Sequence, residues 1–195
     1  MTVNLEEMND KQREEALVAM FTWVGSQGGR LPLKAFFARL NTFPTLFREI
    51  IHISKSKEGE PQVLLQPRAK DDPFFAGQWA TTGVTLPVRF NTSMVAELHG
   101  EKETGISHDY KGHPEYVFCG SISLPNLARE HGEATVFGCD WGNTIPTIKD
   151  GVEWVNVNDI DRLPLVPHSR SIVQMVCDVL IQGARPHFVE YLGSK

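Results

Sequence analysis

The stretch from Ala80 to Ile106 constrains this chain more than any other. It opens on Thr81-Thr-Gly83, passes through a polar connection, and closes in a helix that ends Glu101-Lys-Glu-Thr-Gly-Ile106. A glycine turn, a helix and a closing Gly-Ile leave little freedom locally. The helix must stop where only glycine turns easily, and the next residue is apolar and suited to burial. Positions 99, 102 and 103 stand i, i+3 and i+4, so His99, Lys102 and Glu103 project from one side of that helix.

The rest of the chain supplies strands and helices around this stretch. Phe47 to Ser54 and Gln62 to Gln66 are apolar or β-branched runs flanking the turn-rich Lys55–Pro61, a hairpin signal. Glu115 to Ile122, Glu133 to Asp140 and Glu153 to Val157 are further strand candidates. Ser169 to Ile181 carries Ile172, Val173, Val176, Val179 and Leu180 at helical spacing, with Ser169 as its expected N-cap. Before all of these, Asn4 to Val24 reads as an amphipathic helix capped by Asn4, with Leu5, Met8, Ala16, Leu17, Ala19, Met20 and Trp23 as its apolar members. Leu33 to Leu40 reads as a second, shorter helix. The expected organisation is a helical extension over 1–44 and one α/β domain over 45–195.

A chain of 195 residues fits one domain with an accessory segment. No apolar run approaches the ~20 residues that cross a bilayer, and the acidic amino terminus lacks the basic-then-apolar order of a secretory signal. Cytoplasmic residence is the expectation. A net charge of −5 argues against general nucleic-acid binding, which needs clustered Lys and Arg. Cys119, Cys139 and Cys177 are widely spaced and match no metal pattern, so they are expected to be buried thiols.

The stretch around Ala80–Ile106 resembles the signature box of Nudix diphosphohydrolases. Glu103-Thr104-Gly105-Ile106 matches the closing end of that box. The strand Val63-Leu64-Leu65-Gln66-Pro67-Arg68 followed by Gly77-Gln78-Trp79 resembles the way such domains lead into it. Glu153-Trp154-Val155 with the later helix resembles the way they finish. The resemblance covers about 45–183. It implies an α/β (α+β) fold: a Nudix-like α/β/α sandwich with a mixed sheet, here behind the N-terminal extension. It also implies a small-molecule ligand containing a diphosphate, such as a nucleotide, and Mg²⁺ or Mn²⁺ as the cofactor of an active member.

Where the chain departs from the box, the departures share a direction. Leu98 stands in place of the family's arginine and Phe90 in place of its earlier glutamate, so a structural ion pair is exchanged for an apolar pair expected to pack together. On the implied metal face His99 and Lys102 replace two glutamates and Glu103 alone is kept, which takes a formal charge of about −3 to about zero. Glu103 is therefore the catalytic candidate, and Glu103 with His99 the metal candidates. Lys102 is a candidate phosphate contact as a point charge. Arg68 is a candidate bidentate phosphate contact, and Trp79 a candidate base-stacking surface if it lines the cleft.

Other clusters are weaker. Glu97 and Glu101 make an i, i+4 pair that suits a solvated face. His108, Asp109, His113, Glu115 and Cys119 lack zinc spacing, and Glu130 and Glu133 are candidate extra acids beyond the strand. Three functions stay open: a binder of a nucleotide or other diphosphate ligand with weakened or absent Mg²⁺-dependent hydrolysis, an active hydrolase with an altered metal site, and a non-enzymatic interaction protein that self-associates as a homodimer.

Overall fold

The computed structural model describes residues 45–85, 100–107, 112–124 and 132–191, together with 9, 11, 12, 15, 18 and 19. Phe90, Leu98, His99, His108, Asp109 and Glu130 lie outside these residues, and with them the expected Phe90–Leu98 packing.

Eight strands are described: β1 (Thr45–Lys55), β2 (Pro61–Pro67), β3 (Trp79–Ala80), β4 (Gly83–Thr85), β5 (Val117–Leu124), β6 (Gly132–Asp140), β7 (Glu153–Asn156) and β8 (His187–Glu190). They form one mixed sheet in the order β3-β2-β1-β6-β5-β8, with β4 on β1 and β7 on β2. β1 pairs in parallel with β6, and β5 with β8; the other pairs are antiparallel. β1 holds the centre because its apolar residues serve both faces. Its C-terminal end pairs with β2 and its N-terminal half with β4, so the box turn is stitched directly onto the central strand.

One face of the sheet is filled by α2 (Ser169–Leu180). Ile172, Val173, Met175, Val176 and Cys177 bury against Phe47, Ile51, Ile122, Ala134 and Val136. Each large apolar side chain so buried contributes about 1.5–3 kcal/mol, which makes this helix the main anchor of the sheet. On the opposite face a second cluster joins Leu64, Ile106, Trp141 and Val152, with Ile148 and Trp154 at its margin. It clamps the end of the box, α1 (Glu101–Thr104), to the sheet.

The structure departs from sequence expectation in three places. Ser169 does not cap α2: His168 is the cap residue without a side-chain cap bond, and the Ser169 hydroxyl instead accepts from Thr81 N at 3.3 Å. The polar stretch after β7 winds into a 3₁₀ turn, Val157–Arg162, entered through the Asn156 side chain. The chain adds a last strand, β8, beyond the expected terminal helix. The expected cap Asn4 and the expected helix Leu33–Leu40 lie outside the described residues, and among the described residues Asn9 has capping geometry. Its Oδ1 accepts from Gln12 N and its own N–H reaches Gln12 Oε1, both at 3.0 Å, a reciprocal capping box.

Candidate functional site

The box is held at its two ends by different chemistry. At the closing end α1 stops at Gly105, whose φ of 78° is left-handed and whose N–H returns to Glu101 O at 3.0 Å. A Cβ at Gly105 would also stand 2.7 Å from Lys149 N, so the position excludes other residues for two reasons. Thr104 is fully buried. Its hydroxyl donates to Gly100 O and accepts from Ile106 N at 3.1 Å. Lys149 completes the end: its N–H donates to Thr104 O at 2.9 Å and its Nζ to Lys102 O at 3.0 Å, satisfying carbonyls that a helix terminus leaves open.

At the opening end the turn Thr81-Thr82-Gly83 sits on β1. Ile50 N donates to Thr82 O at 2.9 Å, and Glu49 stands opposite Gly83 in the ladder. Glu49 is buried at 7% exposure, and its Oε2 accepts from the Thr81 hydroxyl at 2.9 Å. That hydroxyl also lies 3.4 Å from Ser169 Oγ, so Glu49, Thr81 and the first residue of α2 form one buried polar row.

The sequence-predicted residues distribute as follows. Glu103 is half-buried and its Oε2 accepts from Gln66 Nε2 of β2 at 2.9 Å. Lys102 beside it is exposed. Arg68, just past β2, forks onto Asp72: Nε and Nη2 reach Asp72 Oδ2 at 3.0 and 2.5 Å. The other Asp72 oxygen accepts from Phe74 N and Phe75 N, both at 3.0 Å. Burial pushes this carboxyl upward, but the two backbone donors and the Arg68 guanidinium outweigh it and hold Asp72 well below the usual carboxylate range. Trp79 pairs with Pro67 and packs against the main core on the α2 side, whereas Glu103 meets the neighbouring Gln66. Because side chains alternate along a strand, Trp79 and Glu103 fall on opposite faces of the β2–β3 ribbon. Glu133 lies within β6, exposed, rather than in a loop.

His113 joins an aromatic group. Its ring centroid is 5.0 Å from Trp141, 5.2 Å from Tyr116 and 6.2 Å from His52. His52 is buried, and its Nδ1 accepts from Trp141 Nε1 at 3.0 Å. Burial, with His113 adjacent, pushes its pKa down to about 3, so the ring is neutral with its proton on Nε2. The three cysteines are free and buried, and burial raises Cys119 and Cys177 to about 11 and Cys139 also upward, which makes them poor nucleophiles.

A Mg²⁺ shell takes near-octahedral oxygen ligation at about 2.0–2.1 Å. Among the described residues of α1, Glu101 and Glu103 bring carboxylates, that of Glu103 held by Gln66, Lys102 and Lys149 bring positive charge beside them, and the metal candidate His99 lies outside the described residues. Among the described residues no three His, Cys, Asp or Glu side chains gather in a way that could hold a metal, and no helix is long and apolar enough to cross a membrane.

Sequence reasoning passed over three residues of this region: Glu49, Gln66 and Lys149. Glu49 had one signal, a charge inside the apolar run of β1. Gln66 closes the run Val63–Leu65, where a polar end residue reads simply as the strand's exit. Lys149 had no local signal.

No family model and no curated protein matches the sequence. Solved structures match the fold. A Nudix hydrolase from M. Smegmatis, RenU, shares 18% identity at a TM-score of 0.54 over 70% of this chain and 86% of its own. A mutT/nudix family protein from Listeria innocua shares 15% at 0.59, over 72% and 97%. The NUDIX domain of Shewanella oneidensis NrtR, solved with ADP ribose, shares 14% at 0.57, over 77% and 99%.

Proposed function

This chain has the Nudix fold, and from that premise we propose that it binds a nucleotide or another diphosphate-containing ligand at the end of its box, with Mg²⁺-dependent hydrolysis weakened or absent. The observation that carries the reading is the bond from Gln66 Nε2 to Glu103 Oε2 at 2.9 Å beside exposed Lys102. An amide holds the carboxylate that a metal would otherwise need, and the charges next to it favour an anion. Lys102 meets a phosphate as a point charge, and Lys149, tied to Lys102 O, adds a second cation at the same helix end. Arg68 is spoken for by Asp72 and acts on the ligand only if that fork opens. Trp79 serves as a wall of the ribbon rather than as a stacking platform beside Glu103. The N-terminal 1–44 segment is an extension to this domain, and the protein works in the cytoplasm.

The test uses ADP-ribose as the probe, because the similar NrtR domain was solved with it. The full chain should gain thermal stability from ADP-ribose in EDTA, and incubation with Mg²⁺ should release no AMP. Mg²⁺-dependent AMP release that disappears in Glu103→Gln would instead establish the altered-site hydrolase. No stabilisation by ADP-ribose, ADP or ATP at millimolar concentration would leave the interaction protein as the surviving reading.

A further inference from the structure

The loop between β2 and β3, residues 68–78, is fastened more firmly than a connection needs. Its ends are joined by Arg68 N to Gln78 O at 2.8 Å, and inside it Asp72 N returns to Ala69 O at 3.0 Å. The Asp72 carboxylate ties the backbone of Phe74 and Phe75 on one side and the Arg68 guanidinium on the other. Both rings are half-buried and their centres stand 6.3 Å apart, yet neither joins a core cluster of the described residues. Phenylalanine is among the residues most often spent on a core. Here a fastened loop holds two of them outside it.

Beside Phe75 stands an acceptor without a donor. Gln78 N donates to Phe75 O at 3.0 Å and closes a β-turn in which Gly77 takes a left-handed φ of 70°. Such a turn brings the Cα atoms of Phe75 and Gln78 within about 7 Å of each other. Gln78 Oε1 is buried and has no hydrogen-bond partner, which costs stability unless another group supplies the donor. Because Gln66 pairs with Ala80, Gln78 lies diagonal to Gln66 on the same face of the ribbon, about 7–8 Å away. Gln66 is the residue that holds Glu103, so ring and acceptor sit beside the end of the box.

We infer, from the same diphosphate-binding reading of the box end, that residues 75–78 form a base subsite in which Phe75 stacks on a purine and Gln78 Oε1 accepts from its exocyclic amino group. Gln78 is only half-buried as a residue and its Oε1 has no bond to break, so a turn of the side chain brings the amide to a base lying on Phe75. Stacking alone tolerates every base. The acceptor adds the selection, because it is satisfied by a base that carries an amino group, such as adenine, and not by one that lacks it.

Affinities of the full chain in EDTA test this with three probes: ADP, the purine riboside diphosphate that lacks only the amino group, and inorganic pyrophosphate. The parent should bind ADP about fivefold tighter than the amino-free analogue, as one neutral hydrogen bond gives. Gln78→Leu should abolish that preference and keep the fold, because it removes an acceptor that has no partner. Phe75→Ala should weaken both nucleotides about tenfold, the loss of one stacked base, and leave pyrophosphate unchanged. Phe75→Leu keeps most of the apolar volume and should show the same split, which separates lost stacking from a collapsed loop. Equal affinity of the parent for ADP and the analogue, a preference that survives Gln78→Leu, or nucleotide binding unmoved by Phe75→Ala would each overturn the subsite. Pyrophosphate binding that the nucleoside does not improve would remove the subsite and spare the diphosphate reading, whereas binding of none of the three probes would remove both.

Discussion

The carboxylate of Glu49 lies directly across the Cα of Gly83: a Cβ added at 83 would stand 1.9 Å from Glu49 Oε1 and 2.7 Å from Oε2. The glycine of the box turn is thus required by a buried acid on the central strand, not by a left-handed backbone. The same carboxylate accepts from Thr81, whose N–H reaches Ser169 at the start of α2. The turn, the central strand and the helix on the far face are therefore locked together through one acid.

That contact makes a coupled prediction. Gly83→Ala should cost about 2–3 kcal/mol, as overpacking a filled site does. Glu49→Ala should also destabilise, by removing the carboxylate that accepts from Thr81. In the double variant the clash is gone, so the two losses should fall short of additivity by at least about 1 kcal/mol. Urea denaturation of the four proteins measures this, and strict additivity would show that the carboxylate does not cover Gly83.

Gly105 makes a simpler prediction. Gly105→Ala combines a left-handed φ with a contact on the Lys149 backbone, so it should cost about 2–4 kcal/mol, the sum of a conformational penalty and a packing clash. A Tm within a degree of the parent would mean that the 147–150 segment does not pack there.

His52 sets a pH dependence. Its folded pKa is about 3 and its unfolded pKa about 6.5, so below pH 6.5 the unfolded chain takes up a proton that the folded chain refuses. Stability from this group is full above pH 6.5 and is lost as pH falls toward 3, at up to about 1.4 kcal/mol per pH unit. His52→Asn removes the titration and can still accept from Trp141 Nε1. Its urea midpoint should change less between pH 7 and pH 5 than the parent's. Parallel pH profiles would show that His52 protonates without cost.

Lys102 and Glu103 should separate on ligand binding. Lys102→Ala should weaken ADP-ribose several-fold, a loss near 1 kcal/mol, as expected for one exposed cation on a phosphate. Glu103→Gln should leave affinity within about twofold, since a side-chain amide can still accept from Gln66. Loss of binding in Glu103→Gln with none in Lys102→Ala would reverse the two roles.

Much of the fold was legible because local chemistry agreed with the tertiary result. The β1–β2 hairpin, β6 and α2 follow period and turn signals, and observed bounds differ from expected ones by about two residues or fewer. Gly105-Ile106 was legible because a left-handed stop followed by a buried apolar residue has few substitutes. What was not legible depended on distant partners. Glu49 is buried only because β4 folds back onto β1, and β8 is four residues long and exists by pairing with β5. Ser169 is a sound cap by residue type, yet Thr81 claims its hydroxyl.

Under the proposed function the end of the box binds a diphosphate ligand without needing a metal. Calorimetric titration of ADP-ribose into the full chain, once in EDTA and once in Mg²⁺, measures this most directly, because it reads binding heat and continuing turnover heat together. Saturable binding with the same Kd in both buffers and no heat after equilibration is the expected result. Binding that appears only with Mg²⁺, or a sustained heat of hydrolysis, would contradict it.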